Sequence, residues 1–243
     1  MVPDQVHPPS PSPGPSLRAI TLTAFNRPGY LREVLESLRV NRNLDQFHLH
    51  IALEPGCAEV FEVCRSIDFI PTTIHQNVSL IGLRGNTYRL LQQVFAAGYD
   101  SVVYCEDDVV LGPDALDLAL WYLNHATLPH ETRCLCLHNG ASTVQRDPRI
   151  VNTHPINDFA PVGFVATRPQ WETFFQQRWH ADAQGWDFGV TSGTGRIAAP
   201  NVSRSHHIGR FGGTHYVAEH HDPYYVNNYL HPTGKPEGGY HAE

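Results

Sequence analysis

The sequence predicts a single α/β domain in which a mixed sheet is flanked by helices. Short β-branched runs alternate with segments whose apolar residues recur at helical spacing, and this alternation is typical of α/β folds. Turn signals such as Pro28-Gly29, Pro55-Gly56 and Gly112-Pro113 separate these elements. The chain has 243 residues, 41% of them hydrophobic, so it can form a sizeable core. We expect the domain to span residues 17–243, with a regular half at 17–124 and a less regular half at 125–243.

The regular half contains four predicted strands, each followed by a predicted helix. The strands are placed at 17–25, 48–54, 72–76 and 101–105. The helices contain the apolar sets Tyr30, Leu31, Val34, Leu35 and Leu38, then 58–66, then Leu90, Leu91, Val94 and Phe95, and finally 114–123. Asp114 or the Gly-Pro dipeptide before it is expected to cap the last helix.

The second half gives weaker signals. Strands are predicted at 134–138, at 157–164 despite its Pro-Gly interruption, and at 196–200 as a strand or sheet edge. A helix is predicted to start at Arg168 and to contain Trp171, Phe174 and Phe175. Residues 203–210 are predicted to be a loop, and no period is visible beyond Gly212.

Composition excludes several functions. Lys and Arg number 17 against 24 Asp and Glu, and no basic cluster occurs, which disfavours a nucleic-acid partner. No apolar run is long enough to span a membrane, and no signal peptide is recognisable. Residues 1–16 are rich in Pro and Ser and are expected to be a disordered leader. We therefore expect a soluble cytoplasmic protein of bacterial or viral origin, or a Golgi enzyme without its anchor.

The five cysteines are expected to be reduced and mostly buried, although one disulfide, such as Cys57 to Cys64, is an alternative. The sixteen histidines are scattered and match no compact zinc spacing. We expect His206 and His207 to be solvated loop histidines.

The stretch SVVYCEDDVVLGPD, residues 101–114, is the centre of the functional prediction. It places Glu106, Asp107 and Asp108 at the carboxyl end of a predicted core strand, which is where open α/β sheets bind ligands. Neighbouring carboxylates repel each other unless a cation or hydrogen-bond donors offset them. Mg²⁺ and Mn²⁺ prefer such oxygen ligands and often share them with phosphates. The alternative is an acidic surface turn before the next helix.

Two further residues follow predicted strands. Arg27 lies in a turn just before a helix, a position suited to a diphosphate, or it is a solvated turn arginine. Glu54 ends the second strand, where an acid can accept hydrogen bonds from a base or ribose, or it is a loop acid.

In order, the motifs are strand-NRP-helix, strand-EDD-x4-PD, WD, and SR-x4-G-x2-G-x2-H. This series resembles the GT-A glycosyltransferases, and is most similar to the N-acetylglucosaminyltransferase I family and its O-mannosyl relative. The resemblance covers about residues 17–228 and implies a GT-A, Rossmann-like fold with a nucleotide-binding first half and an acceptor-side second half. It also implies metal-dependent, inverting transfer from a UDP-sugar to a hydroxyl of a glycan or other acceptor, with Mn²⁺ the usual cation and Mg²⁺ the alternative.

The resemblance also assigns roles to individual residues. Arg27 and Glu54 would contact the nucleotide, with Glu54 standing where the family has an aspartate that recognises uracil. Asp108 would bind the metal, Asp107 would contact sugar and ribose, and Glu106 would complete the triplet. The remaining matched positions are Trp186 beside Asp187, Ser203 and Ser205 in a loop that closes over the donor, and His215 as a metal or phosphate contact.

Asp187 matches the family's general base, although Phe188 stands where a second acid is common. Inverting transfer is a single displacement that needs a base on the face of the sugar opposite the leaving group. The alternative for Asp187 is a helix cap or a surface acid beside a core tryptophan.

The competing functions are a binding module on the same fold that has lost catalysis, suggested by Phe188 and Glu54, and a nucleotidyltransferase. The latter would need a Gly-rich basic loop, which NRPGY does not supply. A histidine-rich metal store is disfavoured because the histidines do not cluster.

Overall fold

A computed structural model describes residues 16–139, 147–179, 186–212 and 235–243, and leaves undescribed the side chains of 186–188. Apart from Ser16, the predicted leader lies outside these ranges. The described strands form a nine-stranded mixed sheet and a two-stranded ribbon. Their bounds are β1 Arg18–Ala24, β2 His48–Leu53, β3 Thr72–Gln76, β4 Ser101–Glu106, β5 Val109–Leu111, β6 Leu135–Cys136, β7 Ile150–Pro155, β8 Phe164–Thr167, β9 Arg196–Pro200, β10 Ser205–His207 and β11 His241–Ala242.

The helices are α1 Pro28–Arg39, α2 Ala58–Arg65, α3 Gly82–Ala96, α4 Ala115–Asn124, α5 Leu128–Glu131, α6 Arg168–Gln170, α7 Gln176–Arg178 and α8 Trp186–Thr191. A π-helical turn, Trp171–Phe175, joins α6 to α7, and short 3-10 turns lie at Leu44–Gln46 and Ile156–Asp158. A capping box formed by Thr167 and Gln170 starts α6.

The sheet order is β11-β7-β9-β6-β8-β4-β1-β2-β3. Strands β4, β1, β2 and β3 are parallel, and β8 adds to β4 in the antiparallel sense. The chain places β2 and β3 on one side of β1 and then crosses to place β4 on the other. The topological switch point therefore lies between β1 and β4, where open α/β sheets form their ligand crevice.

Both faces of the sheet are buried, because successive side chains of a strand point to opposite faces. Val103 and Cys105 of β4 pack into a core with α1, α2 and α4, whereas Val102 and Tyr104 pack into a second core with α3 and the 168–178 helical segment. This double burial explains why β4 has a continuous apolar run, Val102 to Cys105, rather than an alternating pattern. The α/β fold predicted from the sequence, a mixed sheet flanked by helices, is confirmed.

Several element predictions in the second half are wrong. Residues 157–163 are not a strand, because Pro161 has no N–H for a ladder and Gly163 adopts a positive φ of 81°. The strands on either side are β7 and β8, which begins at Phe164, and the sequence analysis predicted neither of them as such. The 134–138 strand is shortened to β6. Residues 196–200 form β9 between β7 and β6, inside the sheet rather than at an edge.

All five cysteines are free thiols, so the alternative of a Cys57–Cys64 disulfide is wrong. Cys134 and Cys136 lie on one face of the chain with their sulfurs 3.9 Å apart, because residues two apart in an extended segment point to the same side. In the described ranges, no helix is both long and apolar enough to cross a bilayer.

Candidate functional site at the acidic edge

The candidate site lies at the carboxyl ends of β1 and β4, at the switch point of the sheet. Asp107 and Asp108 form the turn from β4 to β5, and both are almost fully buried. The Asp107 N–H donates to the Thr23 carbonyl oxygen at 3.0 Å, which extends the β1–β4 pairing to the start of the acidic turn. The backbone therefore fixes where these carboxylates lie, and the surface-turn alternative is wrong.

Arg27 supplies the positive charge of this edge. It is the residue before α1, whose first position is Pro28. Its Nη2 contacts Asp107 Oδ1, and its Nη1 lies 2.5 Å from Asp108 Oδ2. The Phe25 N–H also donates to Asp107 Oδ2 at 3.2 Å. Only 20% of the Arg27 side chain is exposed, so the solvated-arginine alternative is wrong.

Burial dominates the acid–base properties of the acids. It raises the pKa of Asp107 to about 6, an effect that Arg27 partly offsets and Asp108 reinforces. Burial and the negative charge of Asp108 likewise raise the pKa of Glu106. Burial lowers the pKa of Arg27, but Asp107 and Asp108 outweigh it and the net pKa is raised. Burial thus disfavours the charged forms of Glu106 and Asp107, and the positive charge of Arg27 partly offsets this effect.

Glu106 is turned into the protein. Its Oε1 accepts a hydrogen bond from the Tyr104 hydroxyl at 3.0 Å, and this hydroxyl also lies 3.0 Å from Thr87 Oγ1 on α3. Of the three acids, Glu106 therefore has a structural partner that links β4 to α3.

The segment that contains β10 packs against the acidic turn. Strand β10 pairs antiparallel with β5, and the Ile208 N–H donates to the Asp108 carbonyl oxygen at 2.8 Å. This pairing places His207 Nε2 3.3 Å from Asp108 Oδ2. The prediction that His207 is a solvated loop histidine is wrong. The sequence offered no signal for it, because β5 and β10 are nearly a hundred residues apart.

Gly209 is required by this close approach. A Cβ at this position would overlap the Asp108 carboxylate, lying 2.9 Å from its Cγ and 2.8 Å from His207 Cε1. Only a residue without a side chain lets this segment lie against the acid.

Glu54 lies at the end of β2, as predicted, and is buried. Its two carboxylate oxygens accept from the Ile81 N–H at 3.2 Å, and Oε2 also accepts from Asn77 Nδ2 at 3.2 Å. Glu54 therefore holds the loop that leads into α3. Its assignment to a nucleobase stays a prediction.

Ser203 and Ser205 have buried hydroxyls with protein partners. The Ser203 hydroxyl bonds the backbone of Asn139, and the Ser205 hydroxyl donates to the Val162 carbonyl oxygen. Between them, Arg204 is fully buried and pairs with Asp114. These residues anchor the base of the segment that carries His207, and their predicted donor contacts stay predictions.

Three predicted site residues, Trp186, Asp187 and His215, have side chains outside the described part of the structure. The backbone of Trp186 and Asp187 starts α8, an element that the sequence analysis did not predict, but their side chains are outside the described part of the structure. His215 lies outside the described residues. Their roles as donor contact, general base and metal contact therefore stay predictions.

An open groove adjoins the acidic edge. It has a volume of about 290 Å³ and is lined by Arg27, Gly29, Tyr30 and Glu33. The Phe211 N–H donates to the Tyr30 hydroxyl at 3.1 Å, so the segment after β10 borders this groove. The groove gives the Arg27 side chain free space on its solvent side.

Two residues at this edge are candidate metal ligands. Within the described ranges, no group of three or more His, Cys, Asp or Glu is arranged to hold a metal. Asp108 and His207 nevertheless offer a carboxylate and an imidazole on one side of the turn, a set compatible with Mn²⁺ when phosphates supply further oxygens. The donor set fits a cation that is shared with a substrate.

No family model and no curated protein matches the sequence. Solved structures do. The structure of S. aureus TarS 1-349 in complex with UDP-GlcNAc aligns with a TM-score of 0.61 at 14% identity, covering 83% of this chain and 62% of that one. S. aureus TarS 1-349 without a named ligand gives a TM-score of 0.58 at 13% identity, covering 78% and 59%.

The complex of S. aureus TarS 1-349 with UDP gives a TM-score of 0.52 at 12% identity, covering 75% of this chain and 60% of that one. This chain thus spans about 60% of the length of these structures. Identities this low establish the fold alone, and the resemblance to the N-acetylglucosaminyltransferase I family stays a prediction. The chain has the mixed α/β fold of the GT-A glycosyltransferases, in a single domain.

Proposed function

We propose that this protein is a metal-dependent, inverting glycosyltransferase that moves GlcNAc or a similar sugar from a UDP-sugar to a hydroxyl of a glycan or other acceptor. The observation that carries the proposal is the buried Asp107–Asp108 turn at the switch point, with Arg27 across it. A buried acidic pair with an adjacent guanidinium and a helix N-terminus suits a diphosphate and its cation. The similarity to TarS, which was crystallised with UDP-GlcNAc, supports this donor class.

The proposed reaction is one displacement. The acceptor oxygen forms a bond to C1 of the sugar as the bond from C1 to the diphosphate oxygen breaks, and the acceptor proton passes to the Asp187 carboxylate. The products are the glycoside with inverted configuration and UDP. The residues proposed to position the donor are Asp107, Glu106, Glu54, Trp186, Ser203 and Ser205.

A divalent cation, Mn²⁺ or Mg²⁺, would neutralise charge on the departing diphosphate. Asp108 and His207 are the described residues that would hold it, and His215 is a third candidate. Arg27 would hold the diphosphate through its guanidinium.

Donor binding is tested first. Thermal unfolding of the purified chain is followed with UDP-GlcNAc, UDP-glucose, UDP-galactose and GDP-mannose, each with and without Mn²⁺. A ligand that binds only the native state raises the melting temperature. We expect a rise with at least one UDP-sugar that depends on Mn²⁺. No rise with any UDP-sugar would refute the donor assignment.

Catalysis is tested by Asp187→Asn. Loss of a general base lowers the turnover rate about 10²–10⁴-fold. We expect that loss with UDP affinity nearly unchanged, measured by UDP release and calorimetry. Asp68→Asn, which changes an exposed acid paired with Arg39 at the C-terminal end of α1, is the matched control and should behave as wild type. Wild-type turnover in Asp187→Asn would show that another group is the base.

The second candidate is a nucleotide-sugar or glycan-binding module without catalysis. Engagement of Glu54 by Ile81 and Asn77, together with Phe188 beside Asp187, favours it. Mn²⁺-dependent hydrolysis of any UDP-sugar in the absence of acceptor would exclude this candidate.

A further inference from the structure

Arg27 is the cation that the acidic edge already contains, and its position conflicts with a metal at the same place. Its Nη1 lies 2.5 Å from Asp108 Oδ2, the oxygen that His207 also approaches at 3.3 Å. A divalent cation bound directly to this oxygen would therefore lie close to the guanidinium. Two positive charges at that separation, in a site this buried, repel each other strongly.

The Arg27 guanidinium can also move away from Asp108. Its contact with Asp107 uses Nη2, so Nη1 can leave Asp108 while the other half of the fork stays bound. The groove beside it, lined by Gly29, Tyr30 and Glu33, leaves room on the solvent side. Asp107 would retain the Phe25 N–H as a second donor. A diphosphate in this groove would provide oxygen atoms that accept hydrogen bonds from the guanidinium in place of Asp108.

Resting on the proposed function, we infer that Arg27 is an internal counter-cation that competes with the divalent metal for Asp108 and is withdrawn by the donor diphosphate. Metal alone binds weakly, because it must displace Arg27. The nucleotide diphosphate gives Arg27 a new partner and frees Asp108, so nucleotide and metal bind with positive coupling. Arg27 is thus a positioning residue that ties occupation of the metal site to the presence of donor.

The test is a titration of the protein with Mn²⁺, in which free Mn²⁺ is counted by its electron paramagnetic resonance signal. Without nucleotide, we expect Arg27→Met to bind Mn²⁺ at least about tenfold tighter than wild type, within the range typical of coupling between sites. Arg27→Lys keeps a charge and should not bind tighter. Arg32→Met, an exposed arginine of α1 paired with Glu59, is the matched control and should equal wild type.

With UDP present, Mn²⁺ affinity is compared again after correction for the UDP–Mn²⁺ complex in solution. We expect UDP to raise the Mn²⁺ affinity of wild type by a larger factor than that of Arg27→Met, because the variant has no competitor to remove. Equal nucleotide-free affinities in wild type and Arg27→Met would overturn the inference.

If Arg27→Met folds poorly, Arg27→Gln replaces it, since Gln keeps an amide donor for Asp107 without the charge. Mn²⁺ should then raise the melting temperature of Arg27→Gln more than that of wild type, and an equal or smaller rise overturns the inference. Failure of every UDP-sugar to bind the wild-type protein would refute the proposed function and not the competition between Arg27 and metal. The nucleotide-free titrations still decide whether Arg27 competes with metal.

Discussion

The buried ion pair between Arg204 and Asp114 gives the sharpest stability prediction. Neither side chain is exposed to solvent. Arg204 Nε lies 3.0 and 2.9 Å from the two Asp114 oxygens, Nη1 donates to the Val202 carbonyl oxygen, and Nη2 donates to the Pro148 carbonyl oxygen at 2.8 Å. The Tyr240 hydroxyl adds a fourth link, donating to Asp114 Oδ2 at 2.6 Å.

Arg204→Met removes the charge but keeps most of the volume. Asp114 is then a buried carboxylate that keeps, among the described residues, the Tyr240 hydroxyl as a side-chain donor, and the partly buried carbonyl oxygens of Val202 and Pro148 lose the Arg204 donor. Breaking a buried pair from one side costs about 3–5 kcal/mol. We expect a loss of this size in the free energy of unfolding, measured by urea denaturation followed by circular dichroism.

Two comparisons make this prediction falsifiable. Arg32→Met, which breaks an exposed pair with Glu59, should cost less than about 1 kcal/mol. The double variant Asp114→Leu with Arg204→Met should be less destabilised than Arg204→Met alone, because no buried charge remains. A loss below about 1 kcal/mol for Arg204→Met would refute the reasoning that this pair fastens the His207 segment to α4.

Two further predictions concern the acidic edge and the histidines of β2. Gly209→Ala should weaken binding of Mn²⁺ and UDP, measured by calorimetry, because a Cβ would overlap the Asp108 carboxylate; Gly85→Ala in α3, where a Cβ would make only an ordinary contact with Ile81, is the control, and equal affinities in the two variants would contradict the prediction. Burial, and to a smaller degree His48 and His75, lower the pKa of His50 from 6.5 to about 4. Because the unfolded chain takes up this proton first, stability is lost as pH falls from about 6.5 towards 4, by about 1–2 kcal/mol between pH 7 and 5 for this buried group. His50→Asn should flatten the urea-midpoint curve over this interval, and an unchanged slope would contradict the assignment.

The first half of the chain was largely predictable, because its elements are local. The strands at 18–24, 48–53 and 101–106 contain apolar residues that predict them locally. Pro28 and the helical spacing of the leucines likewise predict α1. Asp114 was correctly placed before α4, but its carboxylate makes no cap. It serves Arg204 instead, a partner ninety residues away that no local pattern shows.

The sequence was enough to predict the α/β class, the alternation of strands and helices in the first half and the position of three acids at a strand end. These follow from periodicity and from turn residues, which act over a few positions. The contacts of Arg27 with Asp107 and Asp108, and those of His207 and Gly209 with Asp108, are visible only in the folded chain. The pairing of β5 with β10 and the β1–β4 switch point create these contacts. They depend on which distant segments pair, and residue order does not encode that locally.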